Sequence, residues 1–177
     1  MLGRHETAVL CAVQRRASRS PAVVQGARAL SLFGEHAAGW LALALVASVV
    51  GDRSRRRSWL LRAGGVAAAH GLSIVVKRVV RRQRPSDPRV RVLASTPSRL
   101  SFPSAHAAST TAAAVLFAGS RAGRLAVAVL PPMLLSRLVL GVHYPSDLVA
   151  GSVLGAAVGA GFRRRLRADR ADGGGHR

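Results

Sequence analysis

The sequence predicts an all-α protein that crosses a membrane with about five to six helices. Apolar residues make up 49% of the 177-residue chain, but only 4% of residues are aromatic. This small-residue composition is typical of helices that pack closely within a bilayer. The apolar residues form long runs separated by short arginine-rich links, and no run has the alternation of a β-strand. A polytopic bundle of membrane helices is therefore predicted.

Five apolar runs are candidate membrane helices, because a span takes about 20 mostly apolar residues. The runs cover 32–51, 59–76, 104–119, 125–140 and 145–162. Residues 5–16 predict a short helix on the membrane surface, with Arg15 and Arg16 at the headgroups. We therefore expect an N-terminal segment at 1–31, a membrane-embedded domain at 32–162, and a basic, Gly-rich tail at 163–177 that is disordered.

The charge distribution favours a membrane protein over a nucleic-acid-binding protein. The net charge of +20 comes from 27 basic residues against 7 acidic ones. The arginines cluster between apolar runs rather than along one soluble face, as expected for loops that flank membrane helices. We therefore expect no nucleic-acid partner.

Alternating topology places two polar segments on the same side of the membrane. The longest one, 77–103, follows the second apolar run, and the short link 141–147 follows the fourth. Three clusters of reactive residues fall at or beside these segments. The links 51–58 and 119–124 and the tail fall on the other side.

The first cluster is "KRVVRRQRP" at 77–85. Lys77 and Arg84 are seven residues apart, which predicts that they share one helix face, with Pro85 ending the helix. Two such cations can hold a phosphate. The alternative is a basic patch against anionic headgroups, a role that also suits Arg78, Arg81 and Arg82.

The second cluster is "PSAH" at 103–106, where an apolar run begins. Ser104 is a good N-cap, which makes Ala105 and His106 the first helical residues. The exposed N–H groups of a helix start bind anions, and His106 can exchange a proton near neutral pH. The alternative is an ordinary capped helix with a histidine at the interface.

The third cluster is "SRLVLGVHYPSD" at 136–147. Gly141 permits a tight turn, and His143 and Asp147 lie four residues apart at the next helix start. Such a carboxylate can fix the imidazole tautomer and leave the other ring nitrogen as a nucleophile. Arg137 lies in the apolar end of a span, where a charged residue indicates a functional role.

Together the clusters supply the groups needed to hold, attack and protonate a phosphoryl ester. A divalent metal site is not predicted, because residues 77–103 offer only Asp87 and Asp147 is committed to histidine. We therefore expect chemistry without a metal or any other cofactor.

The three clusters resemble the motifs of the type 2 phosphatidic acid phosphatase superfamily. That family carries K-x6-RP, PSGH and SR-x5-H-x3-D, in this order. The chain reads Lys77-x6-Arg84-Pro85, then Pro103-Ser104-Ala105-His106, then Ser136-Arg137-x5-His143-x3-Asp147. Ala105 is the one departure, since glycine is usual there, and its backbone N–H is retained.

The resemblance implies a role for each matching residue. His143 becomes phosphohistidine, Asp147 orients it, and His106 protonates the leaving oxygen. The phosphate oxygens are held by Lys77, Arg84, Ser104 and Arg137, with backbone N–H groups near Ala105.

The resemblance also bears on the substrate, which we expect to be a lipid phosphate. "FGEHAAGWL" at 33–41 looks like a mycobacterial-type subgroup linked to removal of the 5-phosphate from decaprenylphosphoryl-5-phosphoribose, an arabinan precursor of the cell wall. Glu35 and His36 are candidate sugar contacts, with a capping and interfacial role as the alternative. The site is expected outside the cytoplasm, on a multi-pass protein of the plasma membrane.

Two alternatives to this function stay open. Within the family, the substrate is an undecaprenyl diphosphate or a phosphatidate-type lipid. In another class, the chain is a non-catalytic membrane scaffold that binds anionic lipid through its arginines. The sequence does not indicate an oligomeric state.

Overall fold

A computed structural model describes the backbone of residues 2–173 and the side chains of residues 4–168. Within this part, the only strand-like feature is an isolated bridge between Gln83 and Leu100, so the predicted all-α class is confirmed. Short 3₁₀ turns occupy Glu35–Ala37 and Arg53–Arg55. The α-helices are α1 Leu2–Ala17, α2 Pro21–Gly34, α3 Ala38–Val50, α4 Arg56–Val80, α5 Ala105–Leu116, α6 Arg121–Val139 and α7 Pro145–Gly173.

Four segments of the described chain are long and apolar enough to cross a membrane. They are Pro21–Val50, Arg53–Val80, Arg121–Val139 and Pro145–Ala168. The first starts at Pro21 rather than at residue 32, so α2 covers part of the predicted N-terminal segment. The predicted run at 104–119 is α5, whose 12 residues span only about 18 Å. This helix is too short to meet the same criterion.

The short helix α5 is the centre of the bundle. Ala107, Ala108, Ala112 and Ala113 are fully buried, which explains why the run is apolar despite its length. Helices α4, α6 and α7 pack around it. Since a buried central helix contacts all of its neighbours, its first residues are fixed relative to the ends of those helices.

Small residues set the distance between α5 and α7. A Cβ atom at Gly151 would lie 2.4 Å from the carbonyl oxygen of Ser104, and one at Gly155 would lie 2.1 Å from that of Ala108. Such backbone approach is typical of membrane helices with small residues every four positions. The N–H of Ser104 also donates to the carbonyl of Asp147 over 2.9 Å. The starts of α5 and α7 are therefore held together.

Helix α1 forms where residues 5–16 predict one, but it does not lie free on a surface. Glu6, Leu10 and Gln14 are buried against the rest of the chain. The Gln14 side chain donates to the carbonyls of Arg91 and Val139 over 2.7 and 3.0 Å, and accepts the N–H of Arg91 over 2.9 Å. Helix α1 is thus part of the bundle end that contains the loop after α4.

Two boundaries differ from those expected. Helix α4 ends at Val80, five residues before Pro85, because Arg81 takes a left-handed conformation with φ of 55°. Helix α7 continues to Gly173, so the segment expected to be a disordered tail is helical at its start. Residues 174–177 lie outside the described part of the chain.

Candidate active site

Four helix ends meet around a pocket of about 440 Å³. They are the last turns of α4 and α6 and the first turns of α5 and α7, with the bend between α2 and α3 as a further wall. Most of the predicted site residues line it, and the two that do not, Ser104 and Asp147, are fully buried beside it. The lining members are Glu35, His36, Lys77, Arg84, Ala105, His106, Arg137 and His143.

His143 lies in the turn between α6 and α7, where Gly141 takes a φ of 69°. Its Nε2 atom is 3.4 Å from Nη1 of Arg84, and its Nδ1 atom is 3.4 Å from Oδ2 of Asp147. A guanidinium only donates, so Nε2 is the acceptor and the proton is assigned to Nδ1. The contact to Asp147 is longer than a formed hydrogen bond, as is common before substrate binds.

The environment of His143 keeps its ring neutral. Burial, reinforced by the charges of Arg137 and Arg84, lowers the pKa of His143 well below the ordinary value of 6.5. A neutral imidazole with an unprotonated Nε2 can attack phosphorus, whereas an imidazolium cannot.

Lys77 and Arg84 reach the pocket from different structures, which corrects the prediction that they share a helix face. Lys77 is on α4, and its Nζ donates to the carbonyls of Leu100 and Ser101 over 3.2 and 3.3 Å. Arg84 lies on the segment after the helix, which ends at Val80. As the residue before Pro85, Arg84 also favours extended backbone. Extended backbone there pairs with residues 99–101 instead.

Arg84 is held from two sides. Its Nε donates to the carbonyl of Ser98 over 2.8 Å, and its Nη1 donates to that of Val142 over 2.6 Å. Burial lowers the pKa of Arg84 to about 10, so it keeps its charge at neutral pH. A fixed cation therefore lies beside Nε2 of His143.

Arg137 is 2% exposed at the end of α6. Its Nη1 donates to the hydroxyl of Ser31 over 2.6 Å, while its Nε has no hydrogen-bond partner among the described residues. Leaving a buried N–H of a charged group unpaired is costly unless a ligand oxygen completes it. Arg137 is thus suited to bind an anion in the pocket.

The start of α5 is built as the sequence predicts. Ser104 caps the helix, and its hydroxyl accepts the N–H of Ala107 over 3.4 Å. His106 points its Nε2 at the carbonyl of Ser31 over 2.9 Å. A carbonyl only accepts, so this nitrogen carries a proton. Ser31 therefore contacts both His106 and Arg137, a position that the sequence did not indicate.

Sequence reasoning missed three further residues at this end of the bundle. Arg82 does not take the alternative role of a headgroup contact but pairs with Asp147 and with Glu6 of α1. His70 of α4 lines the pocket, with its ring centroid 6.1 Å from that of His36. A histidine within an apolar span indicates a functional role, so His70 could have been predicted as a site residue from the sequence.

The described residues contain no group of three or more His, Cys, Asp or Glu side chains arranged to hold a metal ion. The pocket is lined by cations and histidines, with Glu35 at the wall. Such a set is suited to an anion such as a phosphate.

Solved structures with low sequence identity share the fold. The PAP2-type phosphatidylglycerolphosphate phosphatase of Bacillus subtilis superposes with a TM-score of 0.73 at 19% identity, covering 93% of this chain and 87% of that one. LpxE of Aquifex aeolicus gives 0.72 at 17% identity, covering 89% and 94%. Both likenesses concern the arrangement of the helices.

Closer relatives are known from sequence. The chain is 58% identical over 148 residues to a decaprenylphosphoryl-5-phosphoribose phosphatase of Mycolicibacterium smegmatis, which covers 84% of this chain and 82% of the relative. It is 51% identical over 170 residues to the protein of the same name from Mycobacterium tuberculosis, covering 93% and 96%. The profile of the PAP2 superfamily matches residues 58–170, a range that contains all three motifs. With most of its length aligned to such relatives, the chain belongs to the PAP2 superfamily of membrane phosphatases.

Proposed function

We propose that this enzyme removes the terminal phosphate from a polyprenyl-linked sugar phosphate, with decaprenylphosphoryl-5-phosphoribose as the substrate that its relatives favour. The observation that carries the proposal is the convergence of two histidines and the predicted phosphate-binding cations on one pocket at the end of a membrane bundle: His143, His106, Lys77, Arg84 and Arg137. A pocket at this position lets a lipid tail stay in the bilayer while its phosphate is bound.

The reaction proceeds in two balanced steps. Nε2 of His143 attacks phosphorus, the bond to the ester oxygen breaks, and His106, which is in its imidazolium form when the phosphate anion is bound, gives that oxygen a proton and becomes neutral. Water then attacks the phosphohistidine, the N–P bond breaks, and His106 takes the proton that the water loses. Asp147 keeps the other ring nitrogen of His143 oriented throughout.

The phosphate is held by charge and by backbone. Lys77, Arg84 and Arg137 surround it, and the N–H groups at the start of α5, near Ala105, complete the cradle. Ser104 shapes that helix start as its cap. All of these groups stabilise charge on the phosphoryl oxygens as the bond order around phosphorus changes.

The leaving group lies on the side of His106. A Cβ atom at Gly34 would be 2.6 Å from the His106 ring, so the bend after α2 is in direct contact with the proton donor. Glu35, His36 and His70 line the pocket there, and His36 has a left-handed φ of 50°. Strained backbone at a pocket wall is typical of functional sites. These three side chains offer hydrogen-bonding groups to sugar hydroxyls.

The sugar contacts can be tested by comparing two substrates. His70→Ala is expected to lower kcat/KM about five- to thirtyfold on a polyprenyl phosphoribose, because hydrogen bonds of about 1 to 2 kcal/mol are lost. The same variant is expected to hydrolyse a sugar-free phosphatidate as well as wild type does. An equal loss on both lipids would contradict a sugar-binding role.

The site is proposed to face away from the cytoplasm, as the family resemblance implies. Single cysteines at the exposed positions Ser86 and Ser54, in a Cys11→Ser background, report on the two ends of the bundle. A membrane-impermeant maleimide on intact cells is expected to label Ser86→Cys and not Ser54→Cys. The reverse pattern would place the pocket at the cytoplasmic face.

Phosphate release from a lipid panel tests the function itself. Purified protein with EDTA is expected to release phosphate fastest from polyprenyl phosphoribose, and more slowly from undecaprenyl diphosphate and phosphatidate. His143→Ala and His106→Ala are expected to abolish release while inserting normally. Loss of wild-type activity in EDTA would contradict the metal-independent mechanism.

The scaffold alternative has its own signature. A second cavity of about 630 Å³ at the opposite end of the bundle is lined by arginines, among them Arg55 and Arg57. A scaffold would lose lipid binding when these arginines are replaced and would be indifferent to His143→Ala. Dependence on His143 with tolerance of Arg55→Gln excludes it.

A further inference from the structure

We propose that Arg82 is a positioning residue, which holds Asp147 and thereby His143 by tying the start of α7 to α1. The inference rests on the proposed function, because it assigns Arg82 a part in the attack by His143. The motif pattern K-x6-RP does not single out this arginine.

The guanidinium of Arg82 is fixed on several sides. Its Nη1 donates to Oδ1 of Asp147 over 2.9 Å and to the hydroxyl of Ser146 over 2.6 Å. Its Nη2 donates to Oε2 of Glu6 over 2.6 Å. Its Cζ atom lies 4.2 Å from the centroid of the Tyr144 ring. Such a planar fork, stacked and paired at both ends, is poorly replaced by lysine.

Asp147 depends on this partner. The carboxylate is fully buried, with Oδ2 accepting the N–H of Tyr144 over 2.8 Å and facing Nδ1 of His143. A buried carboxylate without a paired charge is strongly unfavourable. Without Arg82, Asp147 would rotate or take up a proton. Either change removes the carboxylate acceptor that faces Nδ1 of His143 over 3.4 Å.

Glu6 completes the link from the far end of the chain. It is 8% exposed, and its Oε1 accepts the N–H of Ser146 over 3.0 Å. Burial would raise the pKa of Glu6, but hydrogen bonds from Ser146 and Arg82 outweigh it and leave the pKa lowered. Glu6 is therefore an anion at neutral pH. Helix α1 thus supports the catalytic end of α7 through a charged contact.

The geometry separates this role from phosphate binding. Arg82 is not among the residues that line the pocket, whereas Lys77, Arg84 and Arg137 are. Loss of Arg82 should therefore slow the chemical step and leave substrate affinity nearly unchanged.

The test is steady-state kinetics of full-length Arg82→Gln and Arg82→Lys in detergent on one lipid phosphate. We expect kcat of Arg82→Gln to fall about 10- to 100-fold, as for other residues that orient a reactive histidine through a carboxylate, with KM changed less than about threefold. Arg82→Lys keeps the charge, so its kcat should lie between those of wild type and Arg82→Gln. Arg81→Gln changes the neighbouring exposed arginine and should match wild type.

Glu6→Gln tests the far end of the link. We expect a smaller fall in kcat, of about three- to tenfold, because Arg82 keeps its contact to Asp147. The double variant Glu6→Gln/Arg82→Gln should be no slower than Arg82→Gln, since both act through the same contact. If the two losses in kcat multiplied in the double variant, Glu6 and Arg82 would act independently, which would contradict the proposed link.

Other results would overturn the inference outright. A raised KM with unchanged kcat in Arg82→Gln would make Arg82 a substrate-binding residue, and unchanged kinetics would give it no role. If Arg82→Gln does not fold, Arg82→Lys and Glu6→Gln decide by their kcat. Wild type that releases no phosphate from any lipid contradicts the proposed function and this inference together, whereas active wild type with unaltered Arg82→Gln contradicts the inference alone.

Discussion

Gly151 offers a direct way to displace the start of α5 from outside the pocket. The added methyl of Gly151→Ala would sit 2.4 Å from the Ser104 carbonyl oxygen, whereas real Cβ contacts stay beyond 3.0 Å. The helices must separate by at least about 0.6 Å. Overpacking of this kind costs about 1 to 3 kcal/mol, against a gain of up to about 1 kcal/mol in helix propensity. The matched control is Gly161→Ala on the same helix, where nothing lies within 4 Å.

The displacement should show in activity as well as in stability. A misplacement of about 1 Å costs on the order of 100-fold in rate, so we expect kcat of Gly151→Ala to fall about tenfold or more. Thermal unfolding in detergent should give a midpoint below that of Gly161→Ala, which gains propensity without a clash. Equal midpoints and equal phosphate release for the two variants would refute the close α5–α7 approach.

Three further predictions concern the charge, protonation and core of the site. Arg137→Lys should raise KM about tenfold, because an ammonium cannot replace the guanidinium fork. Below pH 6.5, the free energy of unfolding of wild type should fall relative to that of His143→Asn by up to about 1.4 kcal/mol per pH unit. The reason is that the pKa of His143 is lowered in the folded state, so the unfolded state binds more protons. His5→Asn, at an exposed site, is the control. Thr110→Val should lower the unfolding midpoint and leave kcat unchanged, because the buried indole N–H of Trp40 donates to the Thr110 hydroxyl over 3.0 Å and would lose this acceptor.

The helical class and the approach of the three clusters could be predicted because both follow from local patterns. Apolar runs indicate membrane helices, and alternating topology brings 77–103 and 141–147 to one side. The chemistry of Ser104 and His143 is also local, since a cap and a histidine four residues from a carboxylate need no distant partner. These features require no knowledge of how the helices pack.

The remaining features depend on partners that are remote in sequence. Arg82 looked like a headgroup contact because Glu6, its partner, lies 76 residues away on another helix. The first span appeared to start at residue 32 because Arg28 interrupts the apolar run, but this side chain donates to the Leu93 carbonyl. Helix α4 was expected to reach Pro85, and the left-handed Arg81 ends it earlier. Tertiary packing decides each of these.

The central claim is that His143 accepts the phosphoryl group on its Nε2 atom. Wild-type enzyme should be mixed with lipid carrying a ³²P-labelled phosphate, quenched in alkali within the first turnover, and digested for peptide mapping. We predict an acid-labile, alkali-stable label on the peptide that contains His143, and none in His143→Asn. Label on another residue, or phosphate release from His143→Asn at the wild-type rate, would contradict the account.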